Sequence, residues 1–482
     1  MLNLDSTSVE SYLSAEVPAE DLIGRIRNFY NARNFQYAWF DEQGLVEQGK
    51  AFWNLHLSRP RPELDSTERA KQLHSRMELL VFGDTTFSPE IIRNIEIDLT
   101  IHFMRIANSV FTPGVNPEDV QWHIPRRKID EAAMLDSFLV ASKTGWRPMN
   151  QAFYRLNEKM SEYALIGKEG GWPEITLGKK KFNEGDNDTL IAQVKQRLII
   201  SGDLERTDTS EVFTPTLTEA VKRMQRSYGI KETGIIDQSL VSRLNVPVEE
   251  RLKQMKINLE RMRWMPQERD GILVNIPEFR LHVFEAGAVV MSMNIVVGKT
   301  ATGTVIFSDQ MENVVFSPYW HVPSSIVKNE MLGRLTESYL RKNNMEIVGN
   351  SGGLPIVRQK PGPGNSLGKV KFIFPNRYNI YLHDTPSKEL FKAEKRTFSH
   401  GCIRIENPFE LAQYLLRNQP EWTDEKIREA MNSKKEKWVK LPAPVPVYIA
   451  YFTSWVDREG VLNFRDDIYG HDKRMESHLF KP

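Results

Sequence analysis

Cysteine is almost absent from this sequence, and long apolar runs are missing from it altogether. The single cysteine among 482 residues is Cys402, which excludes an intramolecular disulfide and any metal site built from several thiolates. No run of about 18 or more apolar residues occurs, so the sequence predicts no membrane-spanning helix. The first residues also lack the basic stretch and apolar run of a secretory signal. We therefore expect either a cytosolic chain or one whose export segment lies outside this sequence.

An excess of charge of either sign is missing as well. The 64 Lys and Arg residues balance the 63 Asp and Glu residues, which leaves a formal net charge of +1. Nucleic acids and anionic membranes usually attract proteins with a basic excess, so we expect neither as a partner. Hydrophobic residues make up 40% of the chain and charged residues 26%, a mixture typical of globular proteins. The length exceeds what one core usually supports, so several domains are expected.

Helical periodicity dominates the first third of the chain. Apolar residues recur every three to four positions in segments 21–30 and 94–106, a pattern that predicts amphipathic helices. The His and carboxylate residues of this part are scattered and form no chemical constellation. We predict a mostly helical scaffold domain over residues 1–180.

A short unit over residues 186–247 follows the scaffold. Leu190, Val194 and Leu198 form one helix face, and a second helix begins near residue 216 with a plausible capping pattern. Residues 225–237 then read Gln-x-x-x-Gly-Ile-x-x-Thr-Gly-x-Ile-Asp. This run resembles the signature of the small three-helix peptidoglycan-binding domain. The alternative is an ordinary helical hairpin that ends in a glycine cap.

The pattern changes to that of strands after residue 266. Val, Ile and Phe are dense in short segments separated by tight turns, which predicts a mixed β-sheet domain over residues 250–440 and an α+β multi-domain chain. Residues 329–358 interrupt this strand pattern and end in Gly-Asn-Ser-Gly-Gly. We interpret this insertion either as a lid over a site or as a surface loop that the fold tolerates. Residues 441–482 contain further strands, which we expect to pack back on the sheet domain or the scaffold. The predicted strands are 271–277, 281–285, 289–298, 314–316, 370–374, 380–383, 445–451 and 461–464.

A histidine and the cysteine occur close together near the end of the predicted sheet domain. Residues 381–386 read Tyr-Leu-His-Asp-Thr-Pro, and residues 399–404 read Ser-His-Gly-Cys-Ile-Arg. A His near a Cys can take its proton and hold the pair as thiolate and imidazolium. Gly401 allows a tight turn, so that main-chain N–H groups could face a developing oxyanion. Spacing alone leaves open a buried structural Cys402 and structural histidines. The chain order of papain-like enzymes and the caspase signature are both absent.

The whole pattern closely resembles the signature of YkuD-type L,D-transpeptidases, in which a His precedes Ser/Thr-His-Gly-Cys by about fifteen residues. Together with the preceding unit, the chain resembles the large multi-domain branch of that family, with scaffold, peptidoglycan-binding and catalytic parts. Loop 299–307 lacks the family's Thr-Pro-x-Phe type of sequence, which leaves its conformation open. Other segments that carry the resemblance are 274–277, 297–299, 318–326, 363–368 and 374–376.

This resemblance implies a role for each matching residue. Cys402 is expected to be the nucleophile, His383 the general base, and the Asp384 carbonyl the group that orients the ring. Amides near Gly401 and Cys402, with a contribution at Tyr381, are expected to line the oxyanion hole. Segment 329–358 corresponds to the branch's substrate-capping part, and no metal or cofactor is implied. The predicted substrate-binding residues are Tyr381, Arg404, Ser399, His400, Trp320 and Asn365, of which Ser399 and His400 also hold the loop.

The implied reaction is acyl transfer in two halves. Cys402 attacks a donor tetrapeptide stem and releases D-Ala, and the amine of an acceptor stem resolves the thioester to form a 3→3 peptidoglycan cross-link. Carbapenems are expected to acylate the same thiol, and the periplasm or cell envelope is the expected location. Three alternatives stay open: an L,D-carboxypeptidase, a non-catalytic peptidoglycan-binding scaffold, and a transferase that attaches a protein to the wall.

Overall fold

The computed structural model of the chain forms two compact units. The first comprises residues 1–114 and 127–151, and the second comprises residues 115–126 and 152–482. The predicted scaffold boundary at residue 180 lies outside the described residues, and no helix among those described is long and apolar enough to cross a membrane. The structure describes residues 3–16, 20–58, 66–83, 87–125, 130–141, 148–178, 181–206, 208–266 and 270–480.

The first unit is helical, as the periodicity predicts. Its longest helix, Pro89–Phe111, begins at the capping hydroxyl of Ser88, which accepts from the N–H of Ile91. Glu96 on this helix is fully buried and accepts hydrogen bonds from the N–H groups of Ala38 and Trp39, at 2.7 and 2.9 Å. The other elements are the helices Ser6–Glu16, Glu20–Ala32, Glu47–Ser58, Glu68–Phe82 and Glu131–Val140, and strands β1 (Phe40–Asp41) and β2 (Gly44–Leu45).

The second unit begins with helices that frame the segment of the predicted peptidoglycan-binding signature. Gln225 accounts for part of that signature, because its amide donates to Thr233 Oγ1 and accepts from the N–H of Gly234, both at 2.9 Å. These bonds pin the turn that leads into the next helix, whose cap is Asp237. The helices are Gln151–Lys168, Thr189–Ile200, Pro215–Ser227, Gln238–Leu244 and Val248–Trp264.

A ten-stranded mixed sheet follows, and its hydrogen-bonded path closes into a ring. The order is β11-β12-β14-β6-β5-β4-β15-β7-β3, with β13 beside β6, and β11 also pairs with β7. The predicted strands of this sheet therefore exist and lie in one domain. The strands are β3 (Trp122–His123), β4 (Gly271–Asn275), β5 (Arg280–Glu285), β6 (Ala288–Gly298), β7 (Ile306–Phe316), β11 (Val370–Ile373), β12 (Leu382–His383), β13 (Thr397–Ser399), β14 (Ile403–Ile405) and β15 (Lys437–Ala450).

The predicted domain boundary between residues 440 and 441 does not coincide with the end of a strand. It falls inside β15, which lies between β4 and β7 and pairs with both. A strand at this position completes the ring, so it belongs to the sheet domain itself. The remaining C-terminal elements are the helices Pro408–Leu416, Asp424–Met431 and His471–Leu479, and the hairpin of β16 (Ser454–Val456) and β17 (Leu462–Phe464).

The predicted capping insertion has its own small core. A three-stranded sheet, β8-β10-β9, packs on a cluster formed by Val322, Val327, Met331 and Val357. Residues 324–334 form three short helical pieces, one of them the π-helix Val327–Met331. The other elements of the insertion are β8 (Trp320–His321), the helix Glu337–Lys342, β9 (Met345–Ser351) and β10 (Leu354–Gln359).

Candidate active site

Two short neighbouring strands bring four of the predicted site residues to one face of the sheet. Strands β12 and β14 are parallel, with His383 opposite Arg404, and the N–H of Ile403 donates to the carbonyl of Tyr381 at 3.1 Å. Side chains two positions apart in an extended chain point to the same side. Tyr381 and His383 therefore share a face, with ring centroids 5.7 Å apart. Cys402 and Arg404 share the corresponding face of the partner strand.

The loop that carries Cys402 is held by hydrogen bonds within itself. Ser399 Oγ donates to the carbonyl of Cys402 and accepts from the N–H of Gly401, the latter at 3.1 Å. Gly401 has a φ of +117°, a region that side chains disfavour. Because its N–H already has a partner, the Gly401 amide is not free for the predicted oxyanion hole, whereas the Cys402 N–H remains a candidate. Ser399 is buried and bonded within this loop, and its predicted contact with substrate stays a prediction.

His383 is 4% exposed, and its ring orientation is fixed. Its Nδ1 donates to the carbonyl of Asp384, which leaves Nε2 as the basic nitrogen, as the prediction for Asp384 requires. The Asp384 carboxylate accepts from the N–H of Lys369 at 2.8 Å and pairs with Lys388 at 2.9 Å. A Cβ on Gly368 would lie 2.4 Å from this carboxylate, so only glycine fits beside it. The turn at Gly368 therefore supports the residue that orients the base.

The electrostatics of the pair differ from the prediction of a resting ion pair. Burial, together with the Arg404 guanidinium, lowers the pKa of His383 to about 4. Burial also raises the pKa of the Cys402 thiol above its ordinary value, although hydrogen bonds from Tyr381 act in the opposite direction. Both shifts favour neutral forms, so the resting pair is a thiol and an imidazole. The thiol donates to the carbonyl of Asn379 at 3.6 Å.

Arg404 has a hydrogen-bond donor at the site that no described residue accepts. Its Nε is buried and has no hydrogen-bond partner within the described part of the chain. A buried donor without a partner is costly, and a carboxylate is the group that a guanidinium binds best. The position beside Cys402 therefore suits a substrate carboxylate.

The capping insertion reaches the nucleophile loop through His400. His400 Nε2 lies 2.8 Å from a carboxylate oxygen of Glu330, which belongs to the π-helix of the insertion. Trp320 lies in strand β8 and packs against the insertion's own core. Its predicted contact with substrate stays a prediction, as does that of His400.

Asn365, one of the predicted substrate-binding residues, is bonded within the fold. It is 1% exposed, and its amide donates to the carbonyls of Pro318 and Lys360, both at 3.0 Å. Its carbonyl oxygen accepts from the N–H of Leu367 at 2.8 Å. Both ends of the side chain are occupied, so Asn365 ties the loop between β10 and β11, and its contact with substrate stays a prediction.

Sequence reasoning missed the threonines that support the nucleophile loop. Thr304 Oγ1 donates to the carbonyl of Gly401 at 2.9 Å, and Thr302 Oγ1 donates to the carbonyl of Ser399 at 3.4 Å. Both lie in loop 299–307, where the sequence departs from the family pattern. That departure was the signal: two hydroxyls in a connecting loop can serve as supports for another loop.

No group of three or more potential metal ligands occurs among the described His, Cys, Asp and Glu residues. The groups at this face include a thiol, an imidazole nitrogen, main-chain donors and the Arg404 guanidinium.

The regions of the chain match three family models. Residues 24–165 match a scaffold domain, residues 187–244 a peptidoglycan-binding domain, and residues 269–449 the YkuD model of the L,D-transpeptidase catalytic domain. A protein of Haemophilus influenzae (strain ATCC 51907 / DSM 11121 / KW20 / Rd), named as an L,D-transpeptidase, is 30% identical over 241 residues, which cover 46% of this chain. The chain spans about half the length of that relative, 49%.

Solved structures are also similar to this chain. The L,D-transpeptidase from Xylanimonas cellulosilytica is 14% identical, with 58% of this chain and 98% of that one covered and a TM-score of 0.18. The L,D-transpeptidase from Stackebrandtia nassauensis is 12% identical, with 57% and 97% covered and a TM-score of 0.24. The chain thus contains a region that matches the L,D-transpeptidase catalytic domain, preceded by regions that match a scaffold domain and a peptidoglycan-binding domain.

Proposed function

We propose that the chain is an L,D-transpeptidase that forms 3→3 cross-links between peptidoglycan stems through a thioester on Cys402. The observation that carries this proposal is the single sheet face shared by Tyr381, His383, Cys402 and Arg404. A nucleophile, a base with a fixed tautomer and a free cation are the groups that acyl transfer from a carboxylate-bearing peptide needs.

The first half-reaction moves one proton and exchanges one bond. The Cys402 sulfur attacks the carbonyl carbon before the terminal D-Ala of a donor tetrapeptide while His383 Nε2 takes the thiol proton. The new bond is C–S, the broken bond is the peptide C–N, and the imidazolium returns the proton to the departing D-Ala amine. Because the resting pair is neutral, proton transfer accompanies attack instead of preceding it.

The oxyanion of the tetrahedral intermediate needs donors on the side of Cys402. The N–H groups of Cys402 and Tyr381 suit this role, since the Tyr381 N–H already approaches the sulfur. The Arg404 guanidinium, with a buried unpaired Nε, suits the carboxylate of the donor. These assignments give the Cys402 and Tyr381 amides and the Arg404 guanidinium a task in the first half-reaction.

The second half-reaction determines the product. An amine on the side chain of a second stem attacks the thioester, the C–S bond breaks and the new amide is the cross-link. Water in place of the amine would give a tripeptide. The peptidoglycan-binding match at residues 187–244 supports a substrate in the wall and a cell-envelope location, for which we propose the periplasm.

Mass spectrometry with purified disaccharide-tetrapeptide tests the proposal. Wild-type protein should yield a dimer one D-Ala lighter than two monomers, and a carbapenem should add its mass once to the intact chain. Cys402→Ala should do neither, while it still retains the noncovalent binding of muropeptides that residues 187–244 provide. A matched control, Asn350→Ala, changes an exposed residue of the insertion and should behave like the wild type.

The products separate the alternatives. Tripeptide without dimer would indicate an L,D-carboxypeptidase, a stem bonded to a protein would indicate an attachment transferase, and unchanged substrate would leave a non-catalytic binding scaffold. Cross-linking that survives Cys402→Ala would contradict the assignment of the nucleophile.

A further inference from the structure

A tyrosine far along the chain from the motif contacts the support of the nucleophile loop. Tyr469 Oη donates to the carbonyl of Gly298 and accepts from the N–H of Thr304 at 3.4 Å. Thr304 Oγ1 in turn accepts from the N–H of Gly298 at 3.0 Å and donates to the carbonyl of Gly401 at 2.9 Å. Tyr469 lies beyond residues 269–449, the part that matches the catalytic domain.

The Gly401 carbonyl belongs to the peptide bond whose N–H is that of Cys402. In a planar trans peptide the carbonyl and the N–H point in opposite directions. Fixing the carbonyl with Thr304 therefore also fixes the direction of the Cys402 N–H. This N–H is the donor proposed above for the oxyanion.

Tyr469 is itself held firmly by the segment around it. Its N–H donates to Tyr451 Oη at 2.9 Å, and Tyr451 Oη donates to Asp467 at 2.7 Å. Asp467 also accepts from the N–H groups of His471 and Asp472, both at 2.9 Å. The hydroxyl of Tyr469 thus projects from a bonded turn.

The other end of the same segment is anchored as well. The Arg465 guanidinium donates to the carbonyl of Ser227 at 2.6 Å, and the Arg465 N–H donates to the carbonyl of Thr453 at 2.8 Å. Asp472 pairs with the buried Arg261 at 2.6 Å. Hydrogen bonds at Arg465 and an ion pair at Asp472 thus hold segment 465–472 in place at both ends.

We propose that Tyr469 is a positioning residue for Cys402, which acts through Thr304 to aim the Cys402 N–H at the oxyanion. The expected effect of Tyr469 on catalysis rests on the proposed function. It assigns segment 465–472 to the catalytic machinery, although the segment lies outside the matched catalytic region. A positioning role predicts a slower acylation step with unchanged substrate binding, because the donor acts on the transition state.

Tyr469→Phe removes both hydrogen bonds of the hydroxyl and keeps the ring. The rate of acylation by a carbapenem, followed by intact mass, should fall about tenfold, because the Cys402 N–H is then less well aimed at the oxyanion. KM for the tetrapeptide should change less than about twofold. Tyr414→Phe is the matched control, since it breaks the Tyr414–Glu285 hydrogen bond, 2.9 Å long, elsewhere in the same domain. This control should acylate at the wild-type rate.

Substitutions at Thr304 test whether the two residues act in series. Thr304→Val should slow acylation at least as much as Tyr469→Phe, and Thr304→Ser, which keeps the hydroxyl, should restore most of the rate. The double variant Tyr469→Phe/Thr304→Val should be no slower than Thr304→Val alone, because residues in one chain of contacts are not additive. Fully additive losses, or wild-type acylation by Tyr469→Phe, would overturn the inference.

Amide hydrogen exchange of residues 397–405 gives a readout that needs no activity. Exchange in this peptide should speed up in Tyr469→Phe and stay at the wild-type rate in Tyr414→Phe. If the wild type neither acylates nor cross-links, the proposed function fails, and this comparison decides the positioning role alone. Unchanged exchange in Tyr469→Phe would overturn the positioning role.

Discussion

Arg404 lies directly opposite His383 in the parallel pair of β12 and β14, so a guanidinium and a buried imidazole share one face of the sheet. Burial opposes protonation of the ring, and the guanidinium opposes it further, which lowers the pKa of His383 to about 4. The base is therefore neutral and ready at physiological pH. The thiol, whose pKa burial raises, is protonated until the substrate arrives.

Alkylation of Cys402 by iodoacetamide tests this neutral resting pair. Only the thiolate reacts quickly, so the rate should keep rising from about pH 6 to about pH 9, because the thiol pKa is raised. His383→Ala should leave the profile over that range nearly unchanged. A rate that is already level between about pH 5 and pH 8, and that loses this plateau in His383→Ala, would instead show a thiolate–imidazolium pair.

Arg404→Gln should move the acid limit of the reaction. Removal of the cation favours the imidazolium, so the pKa of His383 should rise toward its ordinary value of 6.5. Acylation needs neutral His383 and is lost as the pH falls through its pKa, so the acid limb should shift upward, by about half a unit to one unit. The pH dependence of carbapenem acylation measures this shift. Arg404→Lys keeps the charge and should keep the wild-type limb; equal shifts in both variants would contradict the electrostatic cause.

The sequence predicts the local parts of this molecule well and the distant contacts poorly. Strand periodicity and the His and Cys motifs depend on neighbouring residues, and the structure contains the strands and brings Cys402 and His383 to adjacent strands. Pairing of β15 with β4 and β7 joins segments more than a hundred positions apart, which no local pattern encodes. The support from Tyr469 is similarly remote. The pKa of His383 depends on burial, which the motif does not reveal.

Asn365 shows that a polar residue in a motif can have a structural task. A glycine-rich loop needs its carbonyls satisfied, and a buried amide serves that purpose as well as it could serve a ligand. Asn365→Ala should therefore lower the free energy of unfolding by about 2–3 kcal/mol and leave KM for the tetrapeptide unchanged. Chemical denaturation and steady-state kinetics measure the two quantities. In the control Asn350→Ala, the free energy of unfolding should stay within about 0.5 kcal/mol of the wild type. A raised KM with normal stability in Asn365→Ala would indicate that Asn365 contacts substrate.

The two compact units should respond to pH in opposite directions. In the first unit, burial raises the pKa of Glu96 to about 7 from 4.5. Between these values the folded state holds a proton that the unfolded state has lost, so stability falls as the pH rises, by up to about 3 kcal/mol. In the second unit, burial lowers the pKa of His383 and of His471 to about 4. There the unfolded state holds the extra protons below about pH 6.5, so stability rises with pH.

Thermal unfolding of the full chain at about pH 5 and about pH 7, followed by limited proteolysis and peptide mass spectrometry, separates these trends. Residues 20–58 and 87–111 should become cleavable at a lower temperature when the pH rises, whereas cleavage within 270–480 should require a higher temperature. At the higher pH, the first unit should therefore unfold at a lower temperature and the second at a higher temperature. Glu96→Gln keeps the shape of the side chain without its charge and should abolish the trend in the first unit alone. In the first unit, ionisation of the buried Glu96 carboxyl opposes folding. A trend of the same sign in both units, or a trend in the first unit that persists in Glu96→Gln, would therefore show that other groups dominate.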